Sequence, residues 1–193
     1  MEIIIHQINK IKHLKKIKKI YGVEIDIRTH RSKLILSHDP FHNGDTLENY
    51  LENYFHGTLV LNIKESGIEN DVLKLIKNFN IKSYFLLDVE FPYIYYAYTK
   101  KIKNIALRFS EFENIENIKI FKKNFNWIWI DTITKNPISM KNYKILKQYK
   151  TCLVSPDRWG RSKHIITLKN YLKKNNFKIS SVMTDLKYAS LWE

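Results

Sequence analysis

A single cysteine in 193 residues removes two classes of protein at once. Cys152 can build neither an internal disulfide framework nor a cysteine metal cluster, so a reducing compartment is the simpler reading and the cytoplasm the expected location. Glycine and proline are scarce too, at five and four residues. No glycine-rich phosphate loop follows any strand-like run, which counts against a Rossmann or P-loop site. No apolar run approaches transmembrane length, and MEIIIHQINKIK has too short an apolar core and no small-residue cleavage site for a signal peptide, so a soluble protein is expected. Without an internal repeat, a low-complexity linker or a proline-rich boundary, residues 1–193 suit one domain with ample length for a core.

Acidic residues are also few relative to basic ones: 33 Lys and Arg against 19 Asp and Glu give a net charge of +14. Lysine is densest in KIKHLKKIKK (Lys10 to Lys19), with weaker clusters near Lys122 and Lys173. Heavy use of Lys, Ile and Asn together is what a coding bias towards A and T produces. Scattered lysines describe solvated helix faces better than a nucleic-acid groove, so no nucleic-acid partner is expected. The positive field suits an anionic ligand and would draw the chain weakly towards an anionic membrane surface.

What is abundant is alternation. Eight short apolar runs recur along the chain: EIIIH (Glu2 to His6), GVEIDIR (Gly22 to Arg28), TLVLNIK (Thr58 to Lys64), KSYFLLDV (Lys82 to Val89), NIALRF (Asn104 to Phe109), WIWIDT (Trp127 to Thr132), TCLVSP (Thr151 to Pro156) and ISSVMTD (Ile179 to Asp185). LILSH (Leu34 to His38) is an additional extended segment after the second run. Gln7 to Ile20, Thr46 to Phe55, Gly67 to Phe79, Pro92 to Lys100, Glu113 to Lys122, Ser139 to Gln148 and His164 to Asn175 read as helices by period and propensity. Strands alternating with helices imply a parallel sheet, open or closed, and a count of eight is that of a small (β/α)8 TIM barrel in the α/β class. At the carboxyl ends of such strands stand His6, Glu24, Asp26, Asn62, Lys64, Asp88, Arg108, Asp131, Ser155 and Asp185, where barrel active sites lie, although polar residues also end strands as loop starts and helix caps.

The second run carries the most chemistry. Glu24 and Asp26 alternate with Val23, Ile25 and Ile27, so both carboxylates project from one strand face, and paired oxygens on a rigid strand suit a hard divalent cation. His38 closes the following LILSH run and adds an acid-base group to the same neighbourhood. A half-buried strand could simply expose two carboxylates, but a barrel strand is covered on both faces, where unpaired carboxylates are costly. For His38 and Asp39 the plain alternative is a turn into Pro40.

In order and strand context, IIIH, GVEIDIR, LILSHDP and LVLNIKE resemble the glycerophosphodiester phosphodiesterase family, within the phosphatidylinositol-specific phospholipase C-like superfamily of TIM-barrel enzymes. Its HRG motif opens with a histidine on the first strand, an E-x-D pair ends the second, an HD follows shortly after, and an E-x-K ends the third. The matching positions are His6, Glu24 with Asp26, His38 with Asp39, and Lys64; VMTD looks like the family's closing strand. Gln7 and Ile8 stand where the family has Arg and Gly, its ENT segment is missing, and Asn62 replaces the third metal carboxylate.

The resemblance implies a phosphoric diester hydrolase holding Mg²⁺ or Ca²⁺ on Glu24, Asp26 and Asn62, with His6 and His38 as general base and general acid in an order left open. Lys64 and Arg108 would bind phosphate, replacing the charge of the missing Arg but not its bidentate geometry. After the seventh run, SPDRWGR offers Arg158 to an anionic head group and Trp159 as a wall for a sugar or polyol, although SPD is also a helix-entry turn. The bland readings are a satisfied strand-end histidine for His6 and one more lysine for Lys64. His30, His42 and His56 read as solvated loop residues, and Trp127 and Trp129 as packing residues. The expected substrate is a small glycerol, sugar or lipid head-group phosphodiester. The alternative is a catalytically weakened barrel that binds phosphorylated ligands without turnover.

Overall fold

The computed structural model describes residues 1–193. Its strands are β1 (Glu2–Ile5), β2 (Gly22–His30), β3 (Lys33–Leu36), β4 (Leu59–Ile63), β5 (Tyr84–Leu87), β6 (Ala106–Phe109), β7 (Trp127–Ile130), β8 (Lys150–Val154) and β9 (Ser181–Thr184). Helices α1 (Ile11–Leu14), α2 (Leu47–Glu52), α3 (Glu69–Asn78), α4 (Phe91–Lys100), α5 (Ile115–Ile120), α6 (Met140–Leu146) and α7 (Ile165–Lys174) fill the connections. The parallel order β5-β4-β2-β1-β9-β8-β7-β6, with β5 returning to β6 through a single bridge between Leu86 and Ile105, makes a small, nearly closed (β/α)8 barrel. All eight expected runs are barrel strands, and the additional extended segment is β3, paired antiparallel on β2.

Period two divides the barrel strands between two cores. Outward side chains such as Ile5, Val23, Ile25, Leu61, Leu86 and Ile128 pack beneath the helices. Inward ones, among them Ile4, Val60, Phe85, Trp127, Trp129, Cys152 and Met183, fill the interior as a separate cluster. Phe85 and Trp127 lie with ring centroids 4.4 Å apart, so the interior is solid rather than a pore. Trp127 and Trp129 are thus the packing residues expected, on the inner face, and Trp129 forms part of the floor beneath the carboxyl-end cavity.

Several helix starts follow from their caps. Thr46 accepts from the Asn49 amide, Asn114 from the Glu116 amide, and Ser139 and Asn142 form a reciprocal box. The helix expected over Gln7 to Ile20 is only Ile11–Leu14. Its first residues are committed elsewhere: the Gln7 and Ile8 amides donate to Glu24, at a carboxylate and a carbonyl oxygen, and the Ile11 amide donates to Asp45 at 2.7 Å. His30 is likewise not in a loop but closes the long β2.

Candidate active site

Neighbouring strands set the two carboxylates side by side with the amide of β4. Asp26 pairs in register with Asn62, and Glu24, Asp26 and Asn62 are all buried, the two acids at 1 % exposure. Glu24 accepts from the Asn62 amide nitrogen at 2.9 Å and from the Gln7 backbone at 2.8 Å. Asn9 clamps Asp26 from both sides, its amide donating to the carboxylate at 2.8 Å and its carbonyl accepting the Asp26 backbone N–H at 2.8 Å. Lys64 reaches the other Asp26 oxygen at 3.3 Å, and the Gln7 side chain lies 3.3 Å from Asp26. Burial, and next the Asp26 charge, push the Glu24 carboxyl above its ordinary range. Buried Asn62 Oδ1 has no hydrogen-bond partner. An orphan oxygen beside two buried carboxylates is a donor set that fits a hard cation.

His6 stands at the end of β1, just before Gln7, whose φ of 56° lies in the left-handed region. Its Nε2 lies 3.8 Å from Glu24 and 3.1 Å from an Arg158 nitrogen, while Nδ1 is 3.7 Å from Asp185. Since a guanidinium can only donate, Nε2 must accept and His6 is neutral. Burial first, then the Arg158 charge, lower its pKa from 6.5 to about 4.

Arg158 arrives through the short 3₁₀ turn Pro156–Trp159 that follows β8. Asp157 accepts from Thr184 Oγ1 at 2.9 Å and from the Asp185 amide at 3.0 Å, which fastens this turn to the end of β9. Arg158 pairs with Asp185 and contacts His6, but its buried Nε has no partner. Trp159, 41 % exposed, lines the same cavity of about 260 Å³ as His6, Glu24, Asn62 and Arg158.

The opposite wall carries a second charge cluster. Arg108 on β6 donates to Asp88, Asp131 and Glu113, so three of its five N–H donors are engaged. Burial opposes the Arg108 charge, yet Asp88, Asp131 and Glu113 outweigh it and raise its pKa above the ordinary value. Burial raises Asp131 to about 6, against the pull of Arg108. Asp88, at the carboxyl end of β5 with a φ of 55°, is engaged by Arg108.

The cavity therefore brings together His6, Glu24, Asn62, Arg108, Arg158 and Trp159, with Asp26 and Lys64 paired beside Glu24. His38 lies apart, in an adjoining open depression lined also by Asn9, Lys10 and His42. Its Nδ1 is 2.8 Å from Asp39, which leaves Nε2 free, and its side chain is 55 % exposed. Arg28 ties this loop to β4, donating to the carbonyls of His38 at 3.0 Å and Lys64 at 2.9 Å. Asn9 and the backbone of Gln7 were not legible as site residues, because an ordinary loop amide and a main-chain N–H carry no motif. Asp185 was visible only as a polar strand end.

A nearly closed (β/α)8 barrel with acids, bases and guanidinium groups gathered at its carboxyl end defines the architectural class. Among solved structures, the chain is similar to a glycerophosphoryl diester phosphodiesterase from Parabacteroides distasonis (TM-score 0.64, 12% identity, covering 94% of this chain and 81% of that one). It is also similar to a candidate glycerophosphoryl diester phosphodiesterase from Agrobacterium tumefaciens (TM-score 0.67, 10% identity, covering 100% and 96%). A third is an Oleispira antarctica phosphodiesterase in complex with the product sn-glycerol-3-phosphate (TM-score 0.66, 14% identity, covering 98% and 96%). At such identities the likeness is one of fold. No family model and no curated protein sequence matches the chain.

Proposed function

We propose that this chain, working as one domain, is a phosphoric diester hydrolase for a small glycerol, sugar or lipid head-group phosphodiester, and that it requires Mg²⁺ or Ca²⁺. The observation that carries the reading is the orphan Asn62 Oδ1 beside buried Glu24 and Asp26. Those three residues would hold the cation, which when bound would neutralise phosphate charge and acidify an adjacent hydroxyl. No helix is long and apolar enough to cross a membrane. With its one thiol buried, the chain suits work in the cytoplasm.

The chain's own groups divide the remaining tasks. Neutral His6, whose Nε2 accepts from Arg158 in the free protein, acts as the general base that takes the proton from the attacking water or substrate hydroxyl once the phosphate draws that guanidinium away. Arg158 offers its unpartnered Nε–H to a phosphate oxygen, and Lys64 adds charge beside it. Attack forms one P–O bond, and the bond to the leaving alcohol breaks as that oxygen gains a proton from His38. Asp39 holds the His38 ring by Nδ1 and leaves Nε2 for that transfer. Trp159 forms a wall for the alcohol portion.

One observation favours the second reading, a barrel that binds phosphorylated ligands without turnover: His38 lies outside the cavity that holds His6. Incubation with a panel of glycerophosphodiesters and each divalent cation separates the two. Release of alcohol and phosphomonoester supports hydrolysis; retention of phosphorylated ligands with no release supports binding alone.

A further inference from the structure

The barrel is least closed between β5 and β6, where the Leu86–Ile105 bridge and the Leu86 amide bond to Asn104 (2.9 Å) are the backbone links. Over that seam lies an apolar groove of about 640 Å³ between α4 and α5, within the ~300–1,000 Å³ of small-molecule pockets. It reaches Ala106, whose side chain belongs to the barrel interior, as well as Leu107 on the outer side of the same strand. Its upper end is lined by Asp88 and Arg108, which also line the active-site cavity. Groove and cavity therefore lie on either side of one ion pair.

Helix α4, FPYIYYAYTK, is built almost wholly of apolar and aromatic residues, yet its only buried member is Ala97. Phe91 is 69% and Tyr95 60% exposed, and Ile120 across the groove is 68% exposed. Tyr93, Ile94 and Tyr98 pack against the core as the stripe of a barrel helix does, so the further apolar side chains left outside mark a surface meant to be covered. Ten residues of α4 give the groove a wall about 15 Å long, running down from the mouth of the cavity.

Resting on the hydrolase reading, we propose that the substrate is a single-chain lipid phosphodiester, with its phosphate at Arg158 and His6 and its acyl chain leaving the cavity over Asp88 and Arg108 to lie between α4 and α5. The shared Asp88–Arg108 wall selects an acyl chain over a protein segment, because a chain joined to a ligand in the cavity needs to cross only that one ion pair to reach the groove. The net charge of +14 suits delivery from an anionic membrane surface, where such lipids reside.

The test compares a lauroyl lysophospholipid, below its micelle concentration, with the deacylated glycerophosphodiester of the same head group, by steady-state turnover and by equilibrium binding. Two buried methylenes are worth on the order of tenfold, so KM for the acylated substrate should be lower by at least about that factor. The double substitution F91D/I120D, at exposed positions outside the catalytic groups, should erase this preference and leave turnover of the deacylated compound unchanged. Turnover of both substrates with equal KM overturns the groove assignment and leaves the hydrolase reading standing. Lysophospholipid binding that F91D/I120D abolishes, without turnover of either compound, supports the groove and overturns hydrolysis. Neither binding nor turnover overturns both. Self-association that F91D/I120D abolishes, with no lipid preference, gives the groove to a second copy of the chain and overturns the lipid assignment.

Discussion

Asn62→Asp tests the cation site through stability rather than through catalysis. The substitution replaces the amide that donates to Glu24 with a third carboxylate at a position 7% exposed. In the cation-free protein it removes a hydrogen bond to a charged group, about 1.5–3 kcal/mol. It also adds like-charge repulsion, on the order of 4 kcal/mol for charges about 4 Å apart at an effective dielectric of ~20. Protonation of one carboxyl relieves part of that repulsion, so a net loss of roughly 3 kcal/mol is expected at pH 8. In a chain of this size each kcal/mol shifts Tm by about 2–4 °C, and the variant should melt at least ~5 °C below the parent in chelator. A divalent cation reverses the order of effects, because the third anionic oxygen strengthens its coordination. At a concentration of about 100 Kd the bound ion stabilises by about 2.7 kcal/mol, so the Tm rise on adding Mg²⁺ or Ca²⁺ at a fixed concentration should be several degrees larger in N62D than in the parent. Thermal melts in chelator and along a cation titration read both quantities. Equal melting of the two proteins in chelator, or equal cation shifts, would refute the assignment of Asn62 to a cation site.

His6 gives a pH signature. Its folded pKa of about 4 lies below the ordinary 6.5, so the unfolded chain binds the extra proton, and stability falls as pH drops from 6.5 towards 4. Urea unfolding should show the parent losing on the order of 3 kcal/mol more than H6Q between pH 7 and pH 4, and parallel slopes would contradict the neutral, buried histidine. Arg158→Lys keeps the charge but cannot reach both Asp185 and His6, so KM for a phosphodiester should rise about tenfold, a loss of ~1.4 kcal/mol; an unchanged KM would remove Arg158 from phosphate binding. His38→Ala should lower kcat by roughly 10²–10⁴-fold while leaving the cation-induced Tm shift as in the parent, and unchanged turnover would reject its role as the acid.

The barrel was legible because its strands are nearly continuous apolar runs closed by polar residues, a pattern that requires cover on both faces. Helix length after β1 was not, because Gln7, Ile8 and Ile11 give their amides to Glu24 and Asp45 rather than to a helix, and those partners lie 16 or more residues away. The Glu24 and Asp26 pair could be read from period two alone, but whether His38 faces the same cavity could not. That depends on how β3 and its loop hang from β2, fixed by Arg28 bonds to two carbonyl oxygens. Nor could the sequence place Arg108, whose strand-end position suggests an anion site but three of whose five donors are taken by Asp88, Asp131 and Glu113. Ion-pair partners from three different strands and loops leave no spacing to detect.

The most direct measurement is cation-dependent product release. Chelator-treated protein is mixed with a glycerophosphodiester, and phosphomonoester is followed as Mg²⁺ or Ca²⁺ is restored. A cation-dependent hydrolase releases product in proportion to site occupancy and loses that release in Glu24→Gln and Asp26→Asn. Release that is unaffected by chelator, or none with either ion while phosphorylated ligands still bind, would contradict it.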